Sequence, residues 1–254
     1  MSNSSVLNPT AALLIIGNEI LSGRTADKNL NWLAKELSSM GIRLSEARVV
    51  ADIPEEIVSA VNTLRTKYTY LFTTGGIGPT HDDITTECVA AAFGVKVIRH
   101  PEAERLLRAY YAPEMQNEAR MRMANTPEGA ELVNNPVSVA PGYRIGNVYV
   151  MAGVPHIMQS MFGHIRTELT PGAAYYNRSL RVHSGEGNVA ILLQQVQDAH
   201  PDLDIGSYPF MQNNAYGTSV VARGTNRESI DHAITLLSNG LKAANIEFDE
   251  EAAQ

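Results

Sequence analysis

A single cysteine, Cys88, stands in the whole sequence. No disulfide can close within the chain, and a reducing compartment is consistent with that usage. Long apolar runs are also missing. One such run, Ala11 to Ile16, falls far short of the roughly 20 residues that span a bilayer. The start, Met1 to Thr10, is polar and carries no export pattern. A cytoplasmic chain with no membrane partner is therefore expected. Basic residues are scarce as well, 20 Lys and Arg against 27 Asp and Glu, for a net charge of −7. That balance argues against nucleic acid as a partner, because neutralising phosphates needs clustered cations. No internal repeat or low-complexity tract is visible. What remains is an ordinary globular composition, 44% hydrophobic and 19% charged over 254 residues, enough for one main domain and a smaller one.

Strand and helix signals alternate through the first part. Ala11–Ile16 is continuously apolar, as in a strand buried on both faces of a parallel sheet, and runs into Gly17-Asn18-Glu19. Residues 27–40 place Leu30, Leu33, Ala34 and Leu37 on one helical face, and Gly41 stops them. A strand over 42–50, a helix opened by Pro54, and a strand over 68–73 follow. A helix over 84–93 is then expected, capped by Asp82 or Asp83, and a strand over 95–98 after it. Residues 102–124 read as a helix broken near Pro113, and 125–143 as a long Pro-, Asn- and Gly-rich loop. Another strand, 148–151, and a helix, 156–168, complete a domain over residues 8–170. Residues 171–247 read as a small α+β domain: strands near 179–182, 204–208 and 218–223, helices over 188–199 and 227–244, then a loose tail from Glu247. The whole is a three-layer α/β/α fold around a mostly parallel sheet, with ligand chemistry expected at the strand carboxyl ends.

The stretch Thr73-Thr-Gly-Gly-Ile-Gly-Pro-Thr80 leaves a strand and precedes a helix. Gly75, Gly76 and Gly78 allow backbone N–H groups to approach an anion, and Thr73, Thr74 and Thr80 supply hydroxyls suited to a phosphate or a pterin edge. The plain alternative is a tight turn. Asp82 and Asp83 follow at once, where two carboxylates could take a divalent cation and bridge it to a diphosphate, or simply cap the helix. Asp52 ends a neighbouring strand, so it faces the same rim. Gly17, Asn18, Glu19, Asp27 and Asn29 close the first strand and open the first helix there, and His81 is a candidate for phosphate binding or proton transfer. Cys88 falls among Val89, Ala90 and Ala91, which suits a buried thiol.

Three segments together carry a resemblance: Gly17-Asn-Glu-Ile-Leu21, Asp27-Lys-Asn29 and Thr73-Thr-Gly-Gly-Ile-Gly-Pro-Thr-His-Asp-Asp-Ile-Thr85. They are similar to the molybdopterin-binding domain shared by the MoaB and Mog proteins, CinA and the front part of FAD synthase. Pro-Thr-His-Asp-Asp is nearest to the FAD synthase form, since CinA usually has Lys at the position of His81. Asn125-Thr-Pro-Glu-Gly129, Ala140-Pro-Gly142 and Gly153-Val-Pro155 extend the likeness over residues 11–168, and 179–244 resembles the segment that follows in CinA.

The resemblance implies a ligand on the glycine-rich rim, bound by Gly17, Glu19, Asn29, Thr73, Thr74, Gly75, Gly76, Gly78, Thr80 and His81. It implies functional carboxylates at Asp52 and Asp83, a divalent metal (Mg, Mn, Co or Ni) on Asp82 and Asp83, and a homo-oligomer, dimer or trimer. The expected activity is hydrolysis of a nucleotide diphosphate of the ADP-ribose or FAD type. Molybdopterin binding or adenylylation, and a non-catalytic ligand-binding module, are the alternatives. With the sequence stopping at 254, neither the CinA deamidase domain nor the FAD synthase adenylyltransferase domain is expected.

Overall fold

A computed structural model describes residues 8–212 and 215–250. The chain divides into two compact units, one running to Gly172 and one starting at Ala173.

The first unit runs β1 (Thr10–Ile16), α1 (Asn18–Leu21), α2 (Asn29–Ser39), β2 (Arg43–Val50), α3 (Pro54–Lys67), β3 (Tyr70–Thr74), α4 (Thr85–Phe93) and β4 (Val97–Arg99). It continues through α5 (Pro101–Tyr110), α6 (Glu118–Met121), β5 (Asn125–Pro127), β6 (Glu131–Val133), β7 (Gly142–Ile145), β8 (Val148–Met151) and α7 (Pro155–Ile165). Among the described residues, six strands form one sheet in the order β2-β1-β3-β8-β7-β6. The first four run parallel, and β7 and β6 add antiparallel.

Alternation along the strands builds the layers. Ala12, Leu14 and Ile16 of β1 join Leu71, Val148 and Val150 against α3 and α4, where Ile57, Val61, Leu64, Cys88 and Val89 close one core. Ala11, Leu13 and Ile15 join Phe72, Tyr149 and Met151 on the other face against α2 and α7, through Leu33, Leu37, Met158, Phe162 and Ile165. The sheet is thus covered on both faces, which is why β1 reads as an unbroken apolar run.

Three expectations are corrected here. The 125–143 segment is not one loop: it carries β5, β6 and the start of β7. These strands are too short for a periodic signal, and Pro127 is tolerated because β5 pairs only with β4 in a two-stranded ribbon outside the main sheet. Residues after Glu247 are not wholly a tail, since Phe248–Glu250 forms β12 with Phe248 opposite Val182. Neither Asp82 nor Asp83 caps α4: its N-cap residue is Ile84, without a side-chain hydrogen bond.

The second unit holds β9 (Tyr176–Val182), α8 (Ala190–Ala199), β10 (Asp204–Gln212), β11 (Ala215–Gly224), α9 (Arg227–Ala243) and β12. Its antiparallel sheet has the order β10-β11-β9-β12. Leu180, Val182, Val220 and Ala222 pack under Val196, Ile230, Ile234, Leu237 and Leu241 of the two helices. Among the described residues no helix is long and apolar enough to cross a membrane.

Candidate ligand-binding site

The parallel strands β1, β3 and β8 deliver their carboxyl ends to one rim. There β3 leaves the sheet at Gly75, whose N–H donates to Met151 O at 3.2 Å. Gly75 has φ +102°, and a Cβ at this position would lie 2.2 Å from Ile16 O, so only glycine lets β3 turn against the end of β1. Thr85, buried at the start of α4, holds the loop from beneath: its Oγ1 donates to Gly75 O at 2.9 Å and its N–H to Gly76 O at 3.0 Å.

That anchoring leaves the loop's own donors unspent. Among the described residues, no protein group accepts from the N–H groups of Gly76, Ile77 and Gly78. They border a cavity of about 520 Å³ whose wall includes Gly75, Gly76, Gly78 and, on the apolar side, Met123, Val154, Ile157 and Met161. Its charged side chains are Glu19 and Asp83. Asp83 is fixed by Thr80, whose N–H and Oγ1 donate to Oδ2 at 2.7 and 2.5 Å.

The other sequence-derived candidates fall in different places. Thr73 and Thr74 are fully buried in β3, off the cavity wall, and their hydroxyls have no partner among the described residues. Asn29 is buried and acts on the wall indirectly, its Nδ2 donating to Gly153 O at 2.8 Å. Asp52 accepts the Asn18 N–H at 2.9 Å and so ties the end of β2 to the chain leaving Gly17 after β1. It does not line the cavity. His81 and Asp82 are exposed neighbours, 4.0 Å apart, and also lie off the wall. Asp82 is held below the usual carboxylate range, first by the nearby Thr80 and then by its own backbone. Of the adjacent acidic pair, only Asp83 reaches the cavity.

Among the described residues no group of three or more His, Cys, Asp or Glu side chains is arranged to hold a metal. The carboxylates on the cavity wall are Glu19 and Asp83, the side chains there that could share a hard cation with substrate phosphates. Cys88 is buried as expected, and burial pushes its thiol up to about 11. Burial likewise raises the Tyr143 phenol well above its ordinary value.

Several wall residues gave no sequence signal. Asn135 is buried and saturated, with Nδ2 donating to Ser138 Oγ and Ala140 O, both at 2.7 Å, while Oδ1 accepts from Val137 and Ser138 N–H. The turn it ties puts Val139 at φ 66°, a costly conformation for a β-branched residue, held between wall residues Ser138 and Ala140. Arg122, beside the cavity, was hidden in a charged segment with no motif.

A cavity at the carboxyl ends of parallel strands, bordered by a glycine-rich loop with open amides, defines a small-molecule-binding α/β domain. Residues 12–170 match the family model described as a probable molybdopterin binding domain, and residues 174–250 match the FAD synthase middle domain. The chain belongs to the molybdopterin-binding-domain family.

A protein of Pyrobaculum calidifontis is 35% identical over 212 residues, covering 79% of this chain and 81% of that one. The probable FAD synthase of Caenorhabditis elegans is 28% identical over 96% of this chain, which spans 52% of its length. The crystal structure of CinA, of unknown function, from Thermoplasma acidophilum superposes with a TM-score of 0.59 at 29% identity, covering 63% of this chain and 98% of that one. The expected resemblance to the molybdopterin-binding domain, CinA and FAD synthase is thereby met.

Proposed function

We propose that the cavity binds a phosphorylated pterin or nucleotide, with the ring against Met123, Ile157 and Met161 and the phosphate on the Gly76, Ile77 and Gly78 amides. The observation that carries this reading is three consecutive unaccepted N–H groups on the border of a largely apolar cavity of about 520 Å³. These half-buried amides lack a protein acceptor, and an anionic oxygen would supply one. The printed description of the matched family, a probable molybdopterin binding domain, supports the pterin in particular. Isothermal titration with neopterin monophosphate and with ADP tests it, together with a search for pterin fluorescence in the purified protein. Saturable binding of either probe is expected; binding of neither overturns the reading.

A second reading is hydrolysis of a nucleotide diphosphate such as ADP-ribose or FAD. It is favoured by the Asp83 carboxylate lying on the same wall as the loop that carries the amides. When bound with the diphosphate, a divalent cation would be held by Asp83 and Glu19 and would draw charge from the phosphoryl oxygens. Asp83 is kept in place by Thr80, the amides hold the second phosphate, and the apolar wall limits water around the ring. Turnover of ADP-ribose or FAD with Mg²⁺, Mn²⁺, Co²⁺ or Ni²⁺, lost in Asp83→Asn, is the expected result. Equal rates in the two proteins would remove Asp83 from the reaction.

A further inference from the structure

We propose that Arg122 is the cation that makes this site select phosphorylated over unphosphorylated ligands, an inference that rests on the binding reading above. The side chains that charge the cavity wall, Glu19 and Asp83, are both acidic. A phosphate lying on the Gly76–Gly78 amides would meet that negative field, and amide dipoles carry only partial charge against it. Arg122 stands where it can offset the difference. It opens a single 3-10 turn, Arg122–Ala124, whose backbone is fixed by the buried neighbours Met121 and Ala124. The turn also sends Met123 to the cavity wall.

The guanidinium occupies a small niche that shares Ile77, Gly78, Asp83 and Met123 with the main cavity. Its contacts there are long: 3.3 Å to Thr80 O, 3.5 Å to Asp83 O and 3.6 Å to the Glu87 carboxylate. Arginine has N–H donors in a planar fork, and three weak contacts leave that capacity largely available. The fork thus spans the carbonyls on either side of the Thr80–Asp83 turn and keeps full charge beside the loop that offers its amides. Glu87 is its competitor, an exposed carboxylate that an incoming phosphate would displace.

A purely structural clamp on the loop would weaken neutral and anionic ligands alike. A selecting cation weakens only the anionic one. The experiment therefore measures binding of inorganic pyrophosphate and of neopterin to the intact protein, to Arg122→Gln and Arg122→Lys, and to Glu87→Gln. Expected is a loss of about tenfold or more for pyrophosphate in Arg122→Gln, partial recovery in Arg122→Lys and an unchanged neopterin affinity. The gap between Arg122→Gln and wild type should narrow as NaCl is raised. Glu87→Gln, which releases the guanidinium from its competitor, should bind pyrophosphate more tightly than wild type. Equal losses for both probes in Arg122→Gln, or no loss for pyrophosphate, overturn the inference. Should Arg122→Gln not fold, Glu87→Gln decides, and an unchanged pyrophosphate affinity there is fatal. A wild-type protein that binds neopterin but not pyrophosphate sinks the role of Arg122 while leaving the pterin reading standing. Binding of pyrophosphate without neopterin monophosphate or ADP does the reverse, provided Arg122→Gln lowers it.

Discussion

Two glycines of the same loop meet different obstacles, and the difference separates folding from binding. At Gly75 an added methyl would lie 2.2 Å from a backbone oxygen, Ile16 O, with φ at +102°, and neither can yield without moving β1 or β3. At Gly78 the nearest atom is the end of a side chain, Asp83 Oδ2 at 2.6 Å, which can swing out at the loss of its Thr80 hydrogen bonds. Gly75→Ala should therefore cost about 2 kcal/mol or more of stability in urea denaturation. Gly78→Ala should cost less and instead lower ligand affinity, because it displaces the one carboxylate fixed on the loop. The reverse ranking would mean that the loop does not adopt this conformation. The sequence made these glycines visible as a cluster, but it could not rank them. What each one faces is supplied by Ile16 and Asp83, residues distant along the chain or folded back on it.

At the scale of elements, the edge strand β2 is tied to the end of α3 through one carboxylate. Glu46 accepts from Tyr68 Oη at 2.6 Å, Lys67 Nζ at 2.9 Å and Arg48 Nε at 2.6 Å. The Tyr68 hydrogen bond first, then those from Lys67 and Arg48, hold its carboxyl down to about 2 from an ordinary 4.5. A depressed folded-state value means that the charged form favours folding. The contribution is complete above the ordinary value and fades as pH falls from 4.5 toward 2. Urea midpoints measured across that range should drop more steeply for wild type than for Glu46→Gln and converge at the acid end. Parallel curves would show that the cluster is broken in solution. Elements of this length are also where sequence reading fared unevenly. β1, α2 and α3 carry enough periodic or apolar residues to announce themselves, and β8 is short but wholly apolar, whereas α1, β5 and β6 are three or four residues of mixed character. Such pieces exist only because a neighbour is present to pair with or pack on.

At the scale of the molecule, the cavity is built wholly from residues before Gly172, and both cores around the main sheet lie there too. The solved CinA chain matches 63% of this one over nearly its full length, so a domain of about this size stands alone in a relative. A chain ended after Gly172 should fold cooperatively and bind neopterin monophosphate or ADP with the affinity of the full protein, within about twofold. A large loss of affinity would assign the second unit a part in the site. Calorimetry of the full chain would show whether the two units melt as separate transitions.

By itself the sequence determined the layered α/β architecture, the smaller α+β unit and the rim that carries the cavity. Those features follow from local periodicity and from a glycine cluster set between a strand and a helix. Tertiary structure alone decided which polar groups share that site. Neighbours in sequence such as Asp82 and Asp83 part company at a turn, Thr73 and Thr74 are buried within the sheet, and Arg122 arrives from a segment 39 residues beyond Asp83. Side-chain direction depends on the backbone that holds it and on what packs behind, and neither is written in the spacing of residues along the chain.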